Sequence, residues 1–345
     1  MTETETEAGR RPPRGGPGPE GRGISVLQTI VSGWARAKEA SILVVTIVLF
    51  LYFSAIVPLS FNSVDNYGVI ANYVAPVAII AAGEVMVLIC GEIDLSSGMV
   101  FALAPFIMYL LHQSGLPLGL AVVLALACSL VIGIVNGGVT VKLRIPSFIT
   151  TLGMLFLLNG ITLTISSGHP VGAPTEGLAV RILGGWEWAE ILWALGIVAV
   201  MAIVLSGTRF GIHTVATGGN LLGAAESGVK VDFVKISAFA MTSVFAGFAG
   251  ILDGIRITSL NPLAGGTLTM FYAVAAAVIG GTALVGGTGT VIGALIGAVF
   301  LGILKDGLHL VGVSAFTYDI VLGAAILVAM LLNVSLIYLR GRRRR

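Results

Sequence analysis

Glu84, Glu92 and Asp94 stand close together in a long apolar region, the last two inside Gly91-Glu-Ile-Asp-Leu-Ser-Ser-Gly98. Ionised groups in such surroundings are costly and ordinarily face a cavity or a partner. As chemistry, these carboxylates could line a polar route through a membrane, or one of them could carry a coupling proton or cation. Asp94 also has a local reading, favoured here, in which it caps the next helix by accepting backbone N–H bonds from the first turn. Asp253 and Arg256, at i and i+3, read as an intrahelical ion pair.

Other chemistry is absent from the sequence. There is no G-x-x-x-x-G-K-[ST] phosphate loop, no H-E-x-x-H and no G-x-S-x-G. His112, His169, His213 and His309 lie far apart, so metal binding is not expected. Cys90 and Cys128 sit in apolar runs and read as buried thiols. The chain is expected to bind no ATP by itself and to catalyse no reaction.

The elements that carry these residues follow from composition. Of 345 residues, 56% are hydrophobic and 10% charged, against roughly 25% charged in soluble domains. Eleven of the charged residues precede Ser41 and five follow Leu339. The net charge of +2 therefore describes the ends, and does not point to nucleic acid. Residues 1–23 contain almost no apolar side chains and read as a disordered cytoplasmic tail. Over 24–40, Ile24, Leu27, Ile30, Val31 and Trp34 recur at helical spacing, which suggests an interfacial helix.

With about 20 residues needed per span, residues 41–339 hold ten: 42–60, 69–90, 95–112, 118–136, 147–166, 189–206, 235–256, 268–286, 290–306 and 317–338. Continuous apolar runs exclude a β-barrel. Lys142, Arg144, Arg209, Lys230, Lys235 and the basic end 340–345 then share one side with the N-terminus. That side is cytoplasmic by the positive-inside rule, and Arg181 and Lys305 are the cations of the opposite connections. Polar glycine-rich interruptions at Gly91 to Gly98 and Gly280 to Gly289 suggest broken or re-entrant helices. Taken one per half, they also suggest two inverted five-helix repeats. Asn136-Gly137 and Asp306-Gly307 give a second echo. The fold class is all-α and polytopic. Between spans six and seven, the connection 207–234 carries Thr217-Gly-Gly-Asn-Leu-Leu-Gly-Ala-Ala-Glu-Ser-Gly-Val229, read as a short exposed helix with a small-residue surface suited to a groove on another protein.

These motifs, in order, resemble the membrane-spanning permease subunits of ribose/xylose/galactose-type ABC importers. Gly91 to Gly98 is similar to the family's G-G-I-D-L-S-V-G, and Ile145-Pro-Ser-Phe-Ile-Thr-Thr-Leu-Gly153 to its I-P-P-F-I-x-T-L-G. Gly218, Gly219, Asn220, Ala224, Ala225, Ser227 and Gly228 match its G-G-N-x-x-A-A-x-x-S-G coupling loop. The resemblance implies a prokaryotic inner-membrane permease for a small polar solute, a monosaccharide or related polyol. It also implies three partners: a cytoplasmic ATPase that holds ATP and Mg, an extracytoplasmic binding protein, and a second permease subunit, identical or not.

Two departures stand out. Met270, Phe271 and Tyr272 occupy positions where the family often has acidic residues, and Glu226 stands where an apolar residue is usual. Candidate pathway residues are Asn72, Glu84, Asp94, Ser97, Asn159, Thr269 and Tyr272. An ion-coupled carrier using Glu84 or Asp94 is the competing reading. Deleting residues 2–22 is expected to leave uptake intact in a whole-cell assay, and loss of uptake would give the tail an active role.

Overall fold

A computed structural model describes residues 39–263, 266–314, 317–324 and 326–328. The tail 1–23, nearly all of the segment 24–40, the end of the tenth span and the basic residues 340–345 lie outside the described residues.

The chain is helical almost throughout. The apolar helix α1 (Ala40–Ile56) ends before Pro58, which opens the single turn α2 (Pro58–Phe61). Ser63 starts α3 (Val64–Ile89) by accepting the Asn66 N–H at 3.2 Å. There follow α4 (Ser97–Gln113), α5 (Leu118–Lys142) behind Pro117, and α6 (Ser147–Ser166) behind Pro146. A small cap comes next, made of strand β1 (Val171–Gly172) and helix α7 (Leu178–Leu183).

Helix α8 (Ala189–Gly207) leads into two short helices, α9 (Arg209–Gly219) and α10 (Leu221–Glu226). The remaining elements are α11 (Val231–Arg256), β2 (Ser259–Leu260), α12 (Gly266–Ile279), α13 (Val291–Leu310) and α14 (Thr317–Val328). β1 and β2 pair antiparallel, Val171 opposite Leu260.

Each predicted apolar stretch overlaps a helix among the described residues, though 42–60 is divided at Val57 and 317–338 is described only to 328. Six of them, α3, α5, α6, α8, α11 and α13, are long and apolar enough to cross a membrane; α1, α4, α12 and α14 are shorter. Helices α3 and α11 form the centre. They pack on each other, α3 also against α12 and α13, and α11 also against α4 and α5. The periphery is apolar and outward-facing, with Phe148, Ile149, Phe156 and Leu157 on α6 and Leu192, Val200 and Ile203 on α8 exposed. A continuous surface of this kind suits lipid.

Close approach at the centre depends on glycine. A β-carbon on Gly83 would come within 2.6 Å of the Thr242 Cα on α11, and one on Gly250 would overlap the Phe101 carbonyl oxygen on α4. Without a hydrophobic drive between helices in lipid, such backbone contact supplies the packing energy.

Several expectations need correction. Glu84 lies in the last turns of α3, five residues before its end at Ile89. Gly91 to Ser96 is a tight connection at the helix ends and not a re-entrant break. The second glycine-rich segment, 280–290, meets it directly, since the Gly287 N–H donates to the Ile89 carbonyl at 2.8 Å. Two segments on the same end of the bundle are not inverted counterparts. Span eight stops at Ile279, where Gly281 turns with φ +98°. Lys305 belongs to α13 and not to a connection. Cys90 is buried, but Cys128 is exposed on the outer face of α5.

Gly250→Ala is expected to cost about 1–3 kcal/mol by overpacking, read as a lower melting midpoint in detergent. Gly160→Ala on α6, with nothing within 4 Å of the added carbon, should leave the midpoint unchanged or raise it.

Candidate functional site

A cavity of about 210 Å³ lies where α3, α11, α12, α13 and α14 converge. Helix α3 contributes Asn72 and Tyr73, and α12 contributes Thr269 and Tyr272. Lys305 enters from α13, Tyr318 from α14, and Asp253 and Arg256 from the last turn of α11. All these residues sit in turns remote from the Ile89–Gly287 contact, so the cavity belongs to the opposite half of the bundle. It is smaller than the roughly 300–1,000 Å³ of drug-sized sites. A groove of about 450 Å³ between α5 and α11 is larger, but Leu130, Ile134, Phe233 and Met241 give it apolar walls that cannot orient a polar molecule.

Charge in the cavity is unevenly compensated. Arg256 Nε donates to Glu190 Oε2 at 2.8 Å, and Nη2 donates to Asp253 Oδ1. The expected i,i+3 pair is therefore present and is extended by Glu190, a buried residue at the start of α8. Lys305 Nζ instead stands 4.1 Å from the Tyr73 ring centroid and 5.9 Å from that of Tyr272. An aromatic face attracts a cation through its quadrupole. Rings that accept C–H faces, beside amide, ammonium and guanidinium donors, suit a small polyhydroxylated molecule.

Of the pathway candidates, Asn72, Thr269 and Tyr272 come together here. Glu84, Asp94 and Ser97 do not. They form a buried network at the opposite end: Ser97 Oγ donates to Glu84 Oε1 at 2.8 Å, and Ser96 donates to Asp94 Oδ1 through its N–H at 2.9 Å and its hydroxyl at 2.7 Å. Asn136 Nδ2 closes the chain onto Ser96 Oγ at 2.7 Å. Asp94 thus holds a turn ahead of α4 and does not cap its first turn, where Ser96 is the cap residue. Asn159 is half-buried on α6 and lines no part of the cavity. Tyr73, Tyr318, Arg256 and Lys305 were not among the candidates. A lysine within an apolar helix was the one signal that could have drawn attention to the site.

The connection after α8 forms two helices where one was expected. Asn220 caps the second, its Oδ1 accepting the Gly223 N–H at 2.9 Å. Ala224 is buried while Leu221, Leu222, Ala225, Glu226 and Ser227 are exposed, so the outward surface is leucine-bearing rather than flat. Gly228, at φ +84°, turns the chain back toward α11. Gly218 faces inward onto the junction, where a β-carbon would overlap the Ile89 carbonyl and come within 2.7 Å of the Gly287 nitrogen. Lys235 Nζ donates to Glu92 Oε1 at 2.5 Å, and Ser147 Oγ accepts the Ile93 N–H at 3.2 Å. The junction is thereby tied to α11 and α6 as well.

Residues 66–330 match the family model described as branched-chain amino acid transport system / permease component. The chain is 37% identical to the xylose/arabinose import permease of Sulfolobus acidocaldarius, over 84% of this chain and 82% of that one. It is 36% identical to the ribose import permease of Escherichia coli K12, over 90% and 97% respectively. With the autoinducer 2 import system permease of Photorhabdus laumondii it shares 33% identity, over 86% and 89%. No solved structure matches the chain.

Adjacent glycines at the end of α9 should respond differently to substitution. Gly218→Ala is expected to lower thermal stability through backbone overlap, whereas Gly219→Ala, whose nearest neighbour is 4.0 Å away, should be tolerated. Equal melting midpoints for the two variants would remove the junction contact.

Proposed function

The chain belongs to the family of branched-chain amino acid transport system permease components, and from that membership we propose that it forms the pathway by which an ATP-driven importer takes up a monosaccharide or related polyol. It is a multi-pass plasma membrane protein and a transport subunit, not an enzyme. Importers of this family work with a separate ATPase and a solute-binding protein. The observation that carries the reading is the cavity among Asn72, Tyr73, Thr269, Tyr272 and Lys305, a polar chamber within an apolar bundle.

In this reading ten helices cross the membrane, and both termini are cytoplasmic. Lys142, Arg209, Lys230 and Lys235 lie on the end that carries α9 and α10, which supports that orientation. The two halves form inverted repeats of five helices. Support comes from α3 packing on α12 and α13 as α11 packs on α4 and α5. Asn136 and Asp306 are likewise both buried and bonded, Asp306 Oδ2 accepting from Asn66 Nδ2 at 2.8 Å. The cavity then lies toward the extracytoplasmic side, where a binding protein would deliver the solute.

A second permease subunit, identical or not, completes the pathway, and ATP with Mg binds the ATPase subunits. Closure of the ATPase pair presses on α10 through Leu221 and Leu222. Gly218 rests on the Ile89–Gly287 junction, so a push on α9 moves the ends of α3 and of the α12–α13 connection together. This is a two-state element biased by a ligand. Glu84 and Asp94 are remote from the cavity and hydrogen-bonded locally, which does not favour ion coupling.

Purification of the tagged chain from its host in mild detergent should bring down an ATPase subunit in near-equal amount. Leu222→Asp should reduce that recovery at least about tenfold, as expected for an apolar anchor at an interface. Thr269→Trp should keep the ATPase and abolish uptake of the solute held by the copurifying binding protein. Recovery of the chain alone after crosslinking would overturn the proposal.

A further inference from the structure

We infer that helix α7 (Leu178–Leu183) is an in-plane membrane anchor, seated in the lipid interface at the end of the bundle remote from α9 and α10. Its sequence, Leu-Ala-Val-Arg-Ile-Leu, is apolar at every position except Arg181. Val180 and Leu183 are buried against the bundle, whereas Leu178, Ile182 and the following Trp186 are each at least half exposed. A helix that is apolar on all sides needs a second apolar medium for the face its own protein leaves uncovered.

The neighbours of α7 identify that medium. Trp193 Nε1 donates to the Ile182 carbonyl at 2.9 Å, so α7 lies beside the first turns of α8. There Leu192 and Leu195 are exposed, and they begin the lipid-facing surface that Val200 and Ile203 continue. The uncovered face of α7 thus extends a surface already in contact with acyl chains. Trp186, Trp188 and Trp193 cluster at this level, where an amphipathic ring favours the headgroup boundary. Arg181, exposed on α7, can lay its stem along apolar surface and reach headgroup phosphates with its guanidinium. The nearby carboxylates lie off the helix: Glu176 precedes the turn at Gly177, φ +104°, and Glu187 lies against Gly68 of α3. Just beyond α7, a β-carbon on Gly184 would stand 3.0 Å from the Leu252 carbonyl and 3.3 Å from the Arg256 nitrogen. The anchor is thereby tied to the last turns of α11, which carry Asp253 and Arg256 into the cavity.

The test needs neither the partners nor the solute. The full-length chain, reconstituted alone into lipid nanodiscs, is spin-labelled at Leu178→Cys or Ile182→Cys, each combined with Cys128→Ala. Collision rates are measured with oxygen, which partitions into acyl chains, and with a water-soluble nickel chelate. Native Cys128, exposed on the outer face of α5, gives the lipid reference, and Glu226→Cys with Cys128→Ala, on the exposed surface of α10, gives the water reference. At both α7 positions the chelate should collide at least about tenfold less often than at position 226, because acyl chains exclude a polar solute. Oxygen access should match that at Cys128. Chelate access equal to that at position 226 would place the face in water, and low access to both reagents would place it under protein; either result overturns the anchor. Tryptophan emission supplies a measurement without an introduced cysteine. Lipids brominated near the headgroup should quench the native chain, and Trp186→Phe should remove part of that quenching, whereas quenching unchanged by the substitution overturns the proposal as well.

Discussion

One backbone hydrogen bond, from the Gly287 amide to the Ile89 carbonyl, joins the two connections on which the charged end of the bundle depends. In a membrane a helix must satisfy its terminal carbonyls within the protein. Ile89 does so with a partner nearly two hundred residues along the chain. Gly286 and Gly287, at φ +88° and +77°, adopt a left-handed backbone that side chains rarely tolerate. Gly218 then seats the end of α9 against the same carbonyl. The consequence is a rigid point shared by three segments, which suits it to transmit a push.

The two halves of the bundle use buried polarity differently. Around Glu84 and Asp94 the polar groups bond one another, with Ser96, Ser97 and, from α5, Asn136 supplying the donors. Such a network fixes geometry, although Glu84 Oε2, Asp94 Oδ2 and Asn136 Oδ1 are buried without a partner among the described residues. In the cavity half, the clamp of Arg256 between Glu190 and Asp253 holds one side while Lys305 keeps an aromatic contact that an oxygen can supplement. That asymmetry separates a hydrogen-bonded seam from an open polar cavity.

Much of the fold was legible in the sequence, because a membrane helix needs a long apolar run and each such run is visible in one dimension. The apolar stretches and the basic residues of the connections between them follow from local composition. The candidate site was legible only in part. Asn72, Thr269 and Tyr272 were identified, yet Glu84 and Asp94 drew more attention because an acid in an apolar run stands out. Arg256 looked self-sufficient beside Asp253, and its bond to Glu190 spans 66 residues.

The sequence by itself determined that the chain is an apolar helical bundle with a distinct glycine-rich connection at 207–234, since hydropathy and small-residue spacing act over neighbouring residues. Tertiary structure alone decided that the two glycine-rich connections meet at one end, that Gly218 points inward while Leu222 points outward, and that Lys305 joins Tyr73 and Tyr272. The physical reason is that a hydrogen bond or a ring contact depends on separation in space over a few ångströms, and helix packing brings together residues whose distance along the chain carries no such information.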